Sequence, residues 1–194
     1  MSRRLAERSR STAETSVQIT VDLDGTGTAD VQTGVPFYDH LLTALSRHSG
    51  MDLTIRCEGD LEVDDHHTVE DVAIVLGQCL DDALGDRRGI ARFGHAYAPL
   101  DEALVRAVVD LSGRPFAQVE LPWRRPVIGG MAMENVGHAL ETLATNARMC
   151  LHVDVIRGDN DHHRSEAAFK ALAVALRGAT AVRGDRLPST KEAL

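Results

Sequence analysis

Two short segments of the chain carry the same cluster of side chains that can bind metal ions. Both have the order Asp-His-His-x-x-Glu, once at residues 65–70 and once at residues 161–166. Imidazole and carboxylate groups are ligands of first-row transition metals. A single His-His pair is more often a surface or capping feature, but two copies with a glutamate at the same offset favour metal binding.

Helical spacing determines which of these side chains can share an ion. Residues four apart lie on the same face of a helix, whereas adjacent residues are rotated by about 100°. His66 and Glu70 can therefore bind one ion together, while His67 points toward a different ion or another subunit. The corresponding residues of the second copy are His162, Glu166 and His163.

The spacing leaves open which metal is bound and what the leading aspartates do. Zinc is common in histidine-rich sites, but three histidines and one glutamate, with positions left for substrate, also suit an octahedral Mn²⁺-like site. Asp65 and Asp161 are expected either to hold a histidine tautomer or to cap a helix start. The order His-x-x-x-Glu is not His-Glu-x-x-His, so the zinc-protease helix is excluded. A phosphoesterase family with a single Asp-His-His is disfavoured because the motif occurs here twice.

The motif repeat belongs to a longer internal duplication. When His40 is aligned with His138, Met51 falls on Met149 without a gap. Each half is predicted to contain strands, a helix, a strand and a second helix that begins at the His-His pair. Strands grouped with helices in this way predict an α+β fold, with the helices packed between or against two sheets.

Apolar periodicity places the elements that position these side chains. Alternation from Thr15 onward predicts a half-buried strand. Helical spacing predicts helices over about residues 37–48, 66–84, 134–148 and 162–182. The segment up to Ser11 is polar and basic, and we expect it to be loose in an isolated subunit.

Composition limits the class of protein. The chain has 194 residues, of which 43% are hydrophobic, and a net charge of −8. We expect one globular domain over residues 1–194, made of two repeated halves at about residues 8–88 and 89–194. There is no apolar run of the ~20 residues that a membrane span needs, and the acidic balance disfavours nucleic acid as a partner. Three cysteines at unpatterned spacing indicate a reducing cytoplasm.

A second group of residues could bind an anionic substrate. Arginine, lysine and serine side chains suit a phosphate group. The candidates are Arg92, Arg114, Lys170, Ser189 and Lys191. Each alone is usually a solvated surface residue, but Lys170 lies four residues after Glu166, which places anion and ion in one pocket. Glu14, just before the first long strand, would by itself also be a solvated carboxylate.

Several further carboxylates have no clear task in the sequence. Asp52, Asp60 and Asp64 are expected to lie in solvated loops. Asp101 and Glu102 are expected either to contact substrate or to cap a turn.

Seven motifs follow one another between residues 37 and 191, within a resemblance that runs from about residue 8 to the C-terminus. They are Phe-Tyr-Asp-His at 37–40, Asp-His-His-Thr-Val-Glu-Asp at 65–71, Arg-Phe-Gly at 92–94, Pro-Leu-Asp-Glu at 99–102, Asp-Leu-Ser-Gly-Arg-Pro at 110–115, His-His-x-x-Glu-Ala-x-Phe-Lys-Ala at 162–171 and Pro-Ser-Thr-Lys at 188–191. Together they resemble the imidazoleglycerol-phosphate dehydratase family of histidine biosynthesis. The resemblance implies a ribosomal protein S5 domain 2-like fold, in which two sheets enclose a four-helix layer. It also implies a homo-24-mer with active sites shared between subunits and two Mn²⁺ ions per site.

The resemblance assigns each metal ligand to one of the two ions. One Mn²⁺ would be held by His40, His67, His162 and Glu166. The other would be held by His66, Glu70, His138 and His163. This division agrees with the helical spacing, in which each His/Glu pair serves one ion and the adjacent histidine serves the other.

The resemblance also implies a reaction and the residues that bind its substrate. D-erythro-imidazoleglycerol phosphate would lose water to give imidazole acetol phosphate, with Glu14 as the acid/base and the metals holding the imidazole ring. The implied substrate-binding residues are Glu14, His40, His48, His66, His67, Glu70, Arg92, Arg114, His162, Lys170, Ser189 and Lys191. Ala44 replaces a glutamine common in relatives near the phosphate, and Glu192 replaces the usual glycine after Lys191.

Two other functions are compatible with the ligand set. A non-catalytic metal-binding cage would leave Glu14 and the cationic residues without a task. A metal phosphohydrolase would release inorganic phosphate, whereas a dehydratase would not.

Overall fold

The computed structural model describes residues 3–191. Glu192, one of the two departures noted above, lies outside this range. The other departure, Ala44, is buried on the first helix.

Two four-stranded sheets share one topology. The first sheet has the strand order β1-β2-β4-β3 and the second has the order β5-β6-β10-β7. In each sheet the last strand is parallel to its neighbour and the other pairs are antiparallel. The strands are β1 (Leu5–Ser11), β2 (Thr15–Asp22), β3 (Ala29–Gln32), β4 (Asp52–Gly59), β5 (Phe93–Leu100), β6 (Ala103–Asp110), β7 (Phe116–Glu120), β8 (Val127–Ile128), β9 (Met131–Ala132) and β10 (Cys150–Arg157).

Four helices in the described residues form a layer between the sheets. They are α1 (Pro36–Ser49), α2 (His66–Leu84), α3 (Met133–Asn146) and α4 (Asp161–Thr180). Helix α1 packs on α4 and α2 packs on α3, while α2 contacts the first sheet and α4 the second. The predicted α+β fold, with two sheets enclosing a four-helix layer, is confirmed. Within residues 3–191, none of the helices has the length and apolar character needed to cross a bilayer.

Local sequence explains where these helices begin and end. Pro36 occupies the first turn of α1, where its missing N–H costs nothing, and Gly50 ends the helix in the left-handed conformation. Asn160 caps α4 by accepting a hydrogen bond from the backbone N–H of His162. The apolar faces of the helices and the inward faces of the sheets form one continuous core.

The N-terminal segment, which was expected to be loose, is ordered over residues 5–11. Residues Leu5–Ser11 form the edge strand β1, which pairs with β2 along its whole length. Most of its side chains are exposed, so it shows no apolar alternation, and the sequence pattern therefore missed it. Backbone pairing is reinforced by salt bridges from Arg8 to Asp82 and from Arg10 to Asp71, both on α2.

Candidate active site

The first cluster of metal-type ligands joins helices α1 and α4. Glu166 Oε2 lies 3.0 Å from His40 Nε2 and 3.2 Å from His162 Nε2. The three donor atoms lie within 4.8 Å of one another, close enough to bind one ion. The histidine side chains are about half exposed, so the cluster faces outward.

The second cluster is the counterpart of the first and joins helices α2 and α3. His138 Nε2 lies 3.1 Å from Glu70 Oε1, and the His66 and His138 rings stack with centroids 4.9 Å apart. These three residues also offer ligand atoms within 4.8 Å of one another. Asn135 Oδ1 lies 3.2 Å from His66 Nδ1, which makes Nδ1 the donor and puts the lone pair of the neutral ring on Nε2.

The donor set of both clusters fits a divalent transition-metal ion. Each cluster consists of two imidazole nitrogens and one carboxylate, and both His/Glu pairs have the four-residue spacing expected on a helix. Tertiary packing adds His40 and His138, which lie on helices distant in the chain. Each cluster supplies three ligands from one chain, so positions remain for a further protein ligand and for substrate.

His67 and His163 belong to neither cluster. Asp60 Oδ2 lies 3.0 Å from His67 Nδ1, and Glu102 Oε2 lies 2.7 Å from His163 Nδ1. The other ring nitrogen of each faces a second carboxylate at greater distance. Glu14 Oε1 is 3.7 Å from His67 Nε2, and Asp101 Oδ2 is 3.8 Å from His163 Nε2.

Glu14 lies in the β1–β2 hairpin, and that hairpin is fixed to the helix that carries His66 and Glu70. Thr12 Oγ1 accepts hydrogen bonds from the backbone N–H groups of Glu14 and Thr15. Thr15 Oγ1 in turn donates to the Asp71 carboxylate on α2. The Glu14 side chain is 53% exposed. Its backbone is therefore held in place while its carboxylate stays free to meet a substrate.

Lys170 makes the contact that its spacing predicted. Its Nζ lies 2.6 Å from Glu166 Oε1, which is the carboxylate oxygen that does not face the histidines. Burial alone would raise the pKa of Glu166, but hydrogen bonds from Lys170 and His40 outweigh it and lower the pKa to about 2. Partial burial and the Lys170 charge lower the pKa of His48, which lies near the same helix face. The Glu166 carboxylate is therefore ionised, as a metal ligand must be.

The remaining cationic candidates lie at the other end of the second sheet. Arg92 donates to both carboxylate oxygens of Asp110 and to the carbonyl of Pro188, next to Ser189. Arg114 is exposed in the loop between β6 and β7, which starts at the same sheet end. Strand β6 runs from this end to the Glu102 hairpin, a length of about 26 Å at ~3.3 Å per residue. Within one chain, these residues therefore do not reach His163. The phosphate-binding candidates at this end of the sheet are Arg92, Arg114, Ser189 and Lys191.

The leading aspartates of the two motifs do neither of the tasks expected of them. Asp65 Oδ2 accepts the backbone N–H of Ala132, and Asp161 Oδ2 accepts those of Arg124 and Arg125. Both therefore fasten a helix start to the segment before α3. The side chains that accept the first helical N–H groups are Asp64 and Asn160.

Of the three carboxylates expected in solvated loops, Asp64 is exposed in a loop, Asp60 is partly buried in the same loop and Asp52 lies in strand β4. Asp60 holds His67, and Asp64 accepts the N–H of His66. Asp52 accepts the backbone N–H groups of Thr26 and Thr28 and so stabilises the turn before β3. Sequence reasoning also missed the support that Asn135 gives to His66, because it rests on a tertiary contact between α2 and α3.

Comparison with known proteins identifies the family. Residues 33–176 match the family described as imidazoleglycerol-phosphate dehydratase. A protein of that name from Chlorobaculum parvum is 53% identical over 194 residues, covering 100% of both chains, and one from Salinibacter ruber is 54% identical, covering 98% of this chain and 96% of that one. The crystal structure of imidazoleglycerol-phosphate dehydratase from Staphylococcus aureus superposes with a TM-score of 0.83 at 36% identity, covering 92% of this chain and 99% of that chain. The chain therefore belongs to the imidazoleglycerol-phosphate dehydratase family of enzymes.

Proposed function

We propose that this enzyme converts D-erythro-imidazoleglycerol phosphate to imidazole acetol phosphate and water in the cytoplasm, with two Mn²⁺ ions in each active site. The observation that carries the proposal is the pair of three-ligand clusters, one of which lies partly on α2, the helix that holds the Glu14 hairpin. Bound at these clusters, the metals would hold the substrate's imidazole ring and draw electron density from it.

The fourth protein ligand of each ion comes from another subunit in this proposal. His67 would complete the cluster of His40, His162 and Glu166, and His163 would complete that of His66, Glu70 and His138. The support is that, within residues 3–191, neither His67 nor His163 joins a cluster of its own chain. A homo-24-mer with shared sites would provide the missing ligands.

Glu14 performs the proton transfer. The carbon–hydrogen bond to be broken has no neighbouring carbonyl, so ordinary enolate formation is not available. Glu14 removes the carbon-bound proton and returns it to the departing hydroxyl group, which leaves as water. The resulting enol then ketonises to the product as its hydroxyl proton is exchanged for one on carbon. A positioned acid/base contributes about 10²- to 10⁴-fold, so ring binding and orientation must supply most of the acceleration.

The phosphate group is bound by residues from more than one place in the assembly. Lys170 is beside the first metal cluster, whereas the other candidates lie at the far end of the second sheet. We assign the phosphate to Arg92, Arg114, Lys170, Ser189 and Lys191. His48, which lies near the same helix face as Lys170, would also border the bound substrate.

An assay with imidazoleglycerol phosphate tests this function against its two alternatives. The Mn²⁺-loaded enzyme is expected to form imidazole acetol phosphate without releasing inorganic phosphate. Phosphate release would instead indicate a metal phosphohydrolase. If neither product forms while Mn²⁺ still binds, the protein is a metal-binding cage and the proposed activity is wrong.

Acidification is expected to release the metal and reduce the particle size. A free imidazole has a pKa near 6.5, and a proton on the ligating nitrogen competes with the metal. The hydrogen bond that His67 donates to Asp60 raises the pKa of His67, so this histidine gains its second proton at a higher pH than an isolated one. Mn²⁺ affinity is therefore full above that raised pKa and is lost as the pH falls through it. Light scattering and Mn²⁺ electron paramagnetic resonance between about pH 8 and about pH 5 would show this; an unchanged particle over that range would contradict shared histidine ligands.

A further inference from the structure

Two carboxylates contact the two histidines that stand apart from the metal clusters. Asp60 and Glu102 each face the Nδ1 atom, at 3.0 Å and 2.7 Å respectively. An ionised carboxylate only accepts hydrogen bonds, so Nδ1 must be the protonated nitrogen of each ring. The lone pair of the neutral ring is then on Nε2, and among residues 3–191 neither Nε2 atom has a partner within hydrogen-bond distance.

The two halves of the chain make this same contact from different positions. In the alignment of the halves, Asp60 directly after β4 corresponds to Gly158 directly after β10. A side chain at Gly158 is not accommodated, since its Cβ would lie 2.7 Å from the Cβ of Ala103. The second half supplies its carboxylate instead from Glu102, in the β5–β6 hairpin.

The hairpin of the first half is thereby left free for other chemistry. The β1–β2 hairpin is the counterpart of the β5–β6 hairpin and carries Glu14. Because Asp60 already occupies Nδ1 of His67, Glu14 is not needed there and faces Nε2 from 3.7 Å. This difference explains why Glu14 can serve as the acid/base while Glu102 cannot.

The two ion pairs themselves add little stability, although Glu102 also accepts the backbone N–H groups of Asp159 and Asn160 through its other carboxylate oxygen. Their side chains are partly exposed, at 31% and 21% for His67 and Asp60 and at 25% and 43% for His163 and Glu102. Exposed pairs of this kind typically contribute about 0–1 kcal/mol. A carboxylate on the distal nitrogen of a ligating histidine, by contrast, fixes its tautomer and its orientation.

We propose that Asp60 and Glu102 are positioning residues that hold His67 and His163 in the Nδ1–H tautomer, so that Nε2 is the atom presented to a metal ion. The inference rests on the proposed function only for the role of these two histidines as ligands. It adds two residues that lie outside the repeated Asp-His-His-x-x-Glu motif. It also gives the two halves of the chain the same function for this contact, although their sequences differ there.

The test replaces each carboxylate by its amide, which is nearly isosteric. In Asp60→Asn and Glu102→Gln, an amide NH₂ group facing Nδ1 would stabilise the Nε2–H tautomer and block the metal-binding lone pair. Each variant is expected to weaken Mn²⁺ binding by about 10- to 100-fold at the affected sites. Asp60→Glu keeps the charge and is expected to recover most of the affinity. The matched control is Glu62→Gln, an exposed carboxylate in the same loop as Asp60, which should bind as the wild type.

Mn²⁺ affinity of the purified full-length protein would be measured by electron paramagnetic resonance of the free ion, and thermal unfolding would be followed on the metal-free protein. Weaker binding with an unchanged unfolding temperature supports the proposal. Wild-type affinity in both amide variants would overturn it, as would a loss of affinity matched by a lower unfolding temperature of the metal-free protein. If the dehydratase assay of the wild type fails while the amide variants still lose affinity, the proposed function is wrong and the positioning role stands.

Discussion

Glu14→Gln is expected to lose turnover by about 10²- to 10⁴-fold while keeping its metal and its quaternary structure. The amide has the shape of the carboxylate but cannot accept the proton. The hairpin itself is held by Thr12 and Thr15, whose hydrogen bonds use the backbone N–H of Glu14 and the carboxylate of Asp71. Steady-state assays with imidazoleglycerol phosphate, together with light scattering and Mn²⁺ binding, would measure the three quantities separately.

Glu62→Gln is again the matched control, because it removes the same charge from an exposed loop residue. It should retain the wild-type rate. Wild-type turnover in Glu14→Gln would remove Glu14 from the mechanism. Loss of Mn²⁺ binding in that variant would show instead that Glu14 acts on the metal site, next to His67.

Exhaustive chelation is expected to abolish activity and to convert the proposed homo-24-mer into smaller species such as trimers. Each cluster offers three ligands from one chain, and the histidine assigned as the fourth lies elsewhere in that chain. When one ion is held by two chains, the free energy of metal binding becomes free energy of assembly. Added Mn²⁺ should restore both size and activity. A particle that keeps its size without metal would argue against shared ligands.

Particles assembled from two variants test more directly whether the metal ligands are shared between subunits. His66→Ala and His163→Ala each remove one ligand of the same proposed ion, so each variant alone should be inactive. In particles assembled from an equal mixture, about one site in four would draw an intact His66 from one chain and an intact His163 from another. Activity that appears only on mixing would require ligands from two subunits. If mixing restores nothing although both variants assemble, each ion is held within one chain.

The apolar periodicity of the sequence, with its local start and stop signals, was sufficient to predict most of the secondary structure. Predicted and observed helices agree closely, and α2 agrees over its full length, His66–Leu84. Each helix has a strong apolar face together with a local start or stop signal such as Pro36 or Gly50. Strand β1 was missed because an exposed edge strand is defined by backbone pairing with β2, which leaves no period in its side chains.

Local spacing likewise predicted one part of the candidate site and not the other. The pairs His66/Glu70 and His162/Glu166 follow from helical spacing, which a sequence displays directly. The residues that support the histidines could not be predicted from spacing, because Asn135, Asp60 and Glu102 reach His66, His67 and His163 across 69, 7 and 61 residues of chain. The roles of Asp65 and Asp161 were also not predictable from spacing. Aspartate is a common helix cap, but both side chains anchor the segment before α3.

By itself, the sequence determined that two copies of a histidine-rich helix start exist and which side chains within each copy can share an ion. Both follow from the fixed rise and turn of the α-helix. The tertiary structure alone decided that His40 and His138 complete the clusters, that the cationic residues near Ser189 lie at the far end of the sheet, and that Glu14 remains free while Glu102 does not. These depend on how helices and hairpins distant in the chain pack together, and packing is set by the whole core rather than by any local spacing.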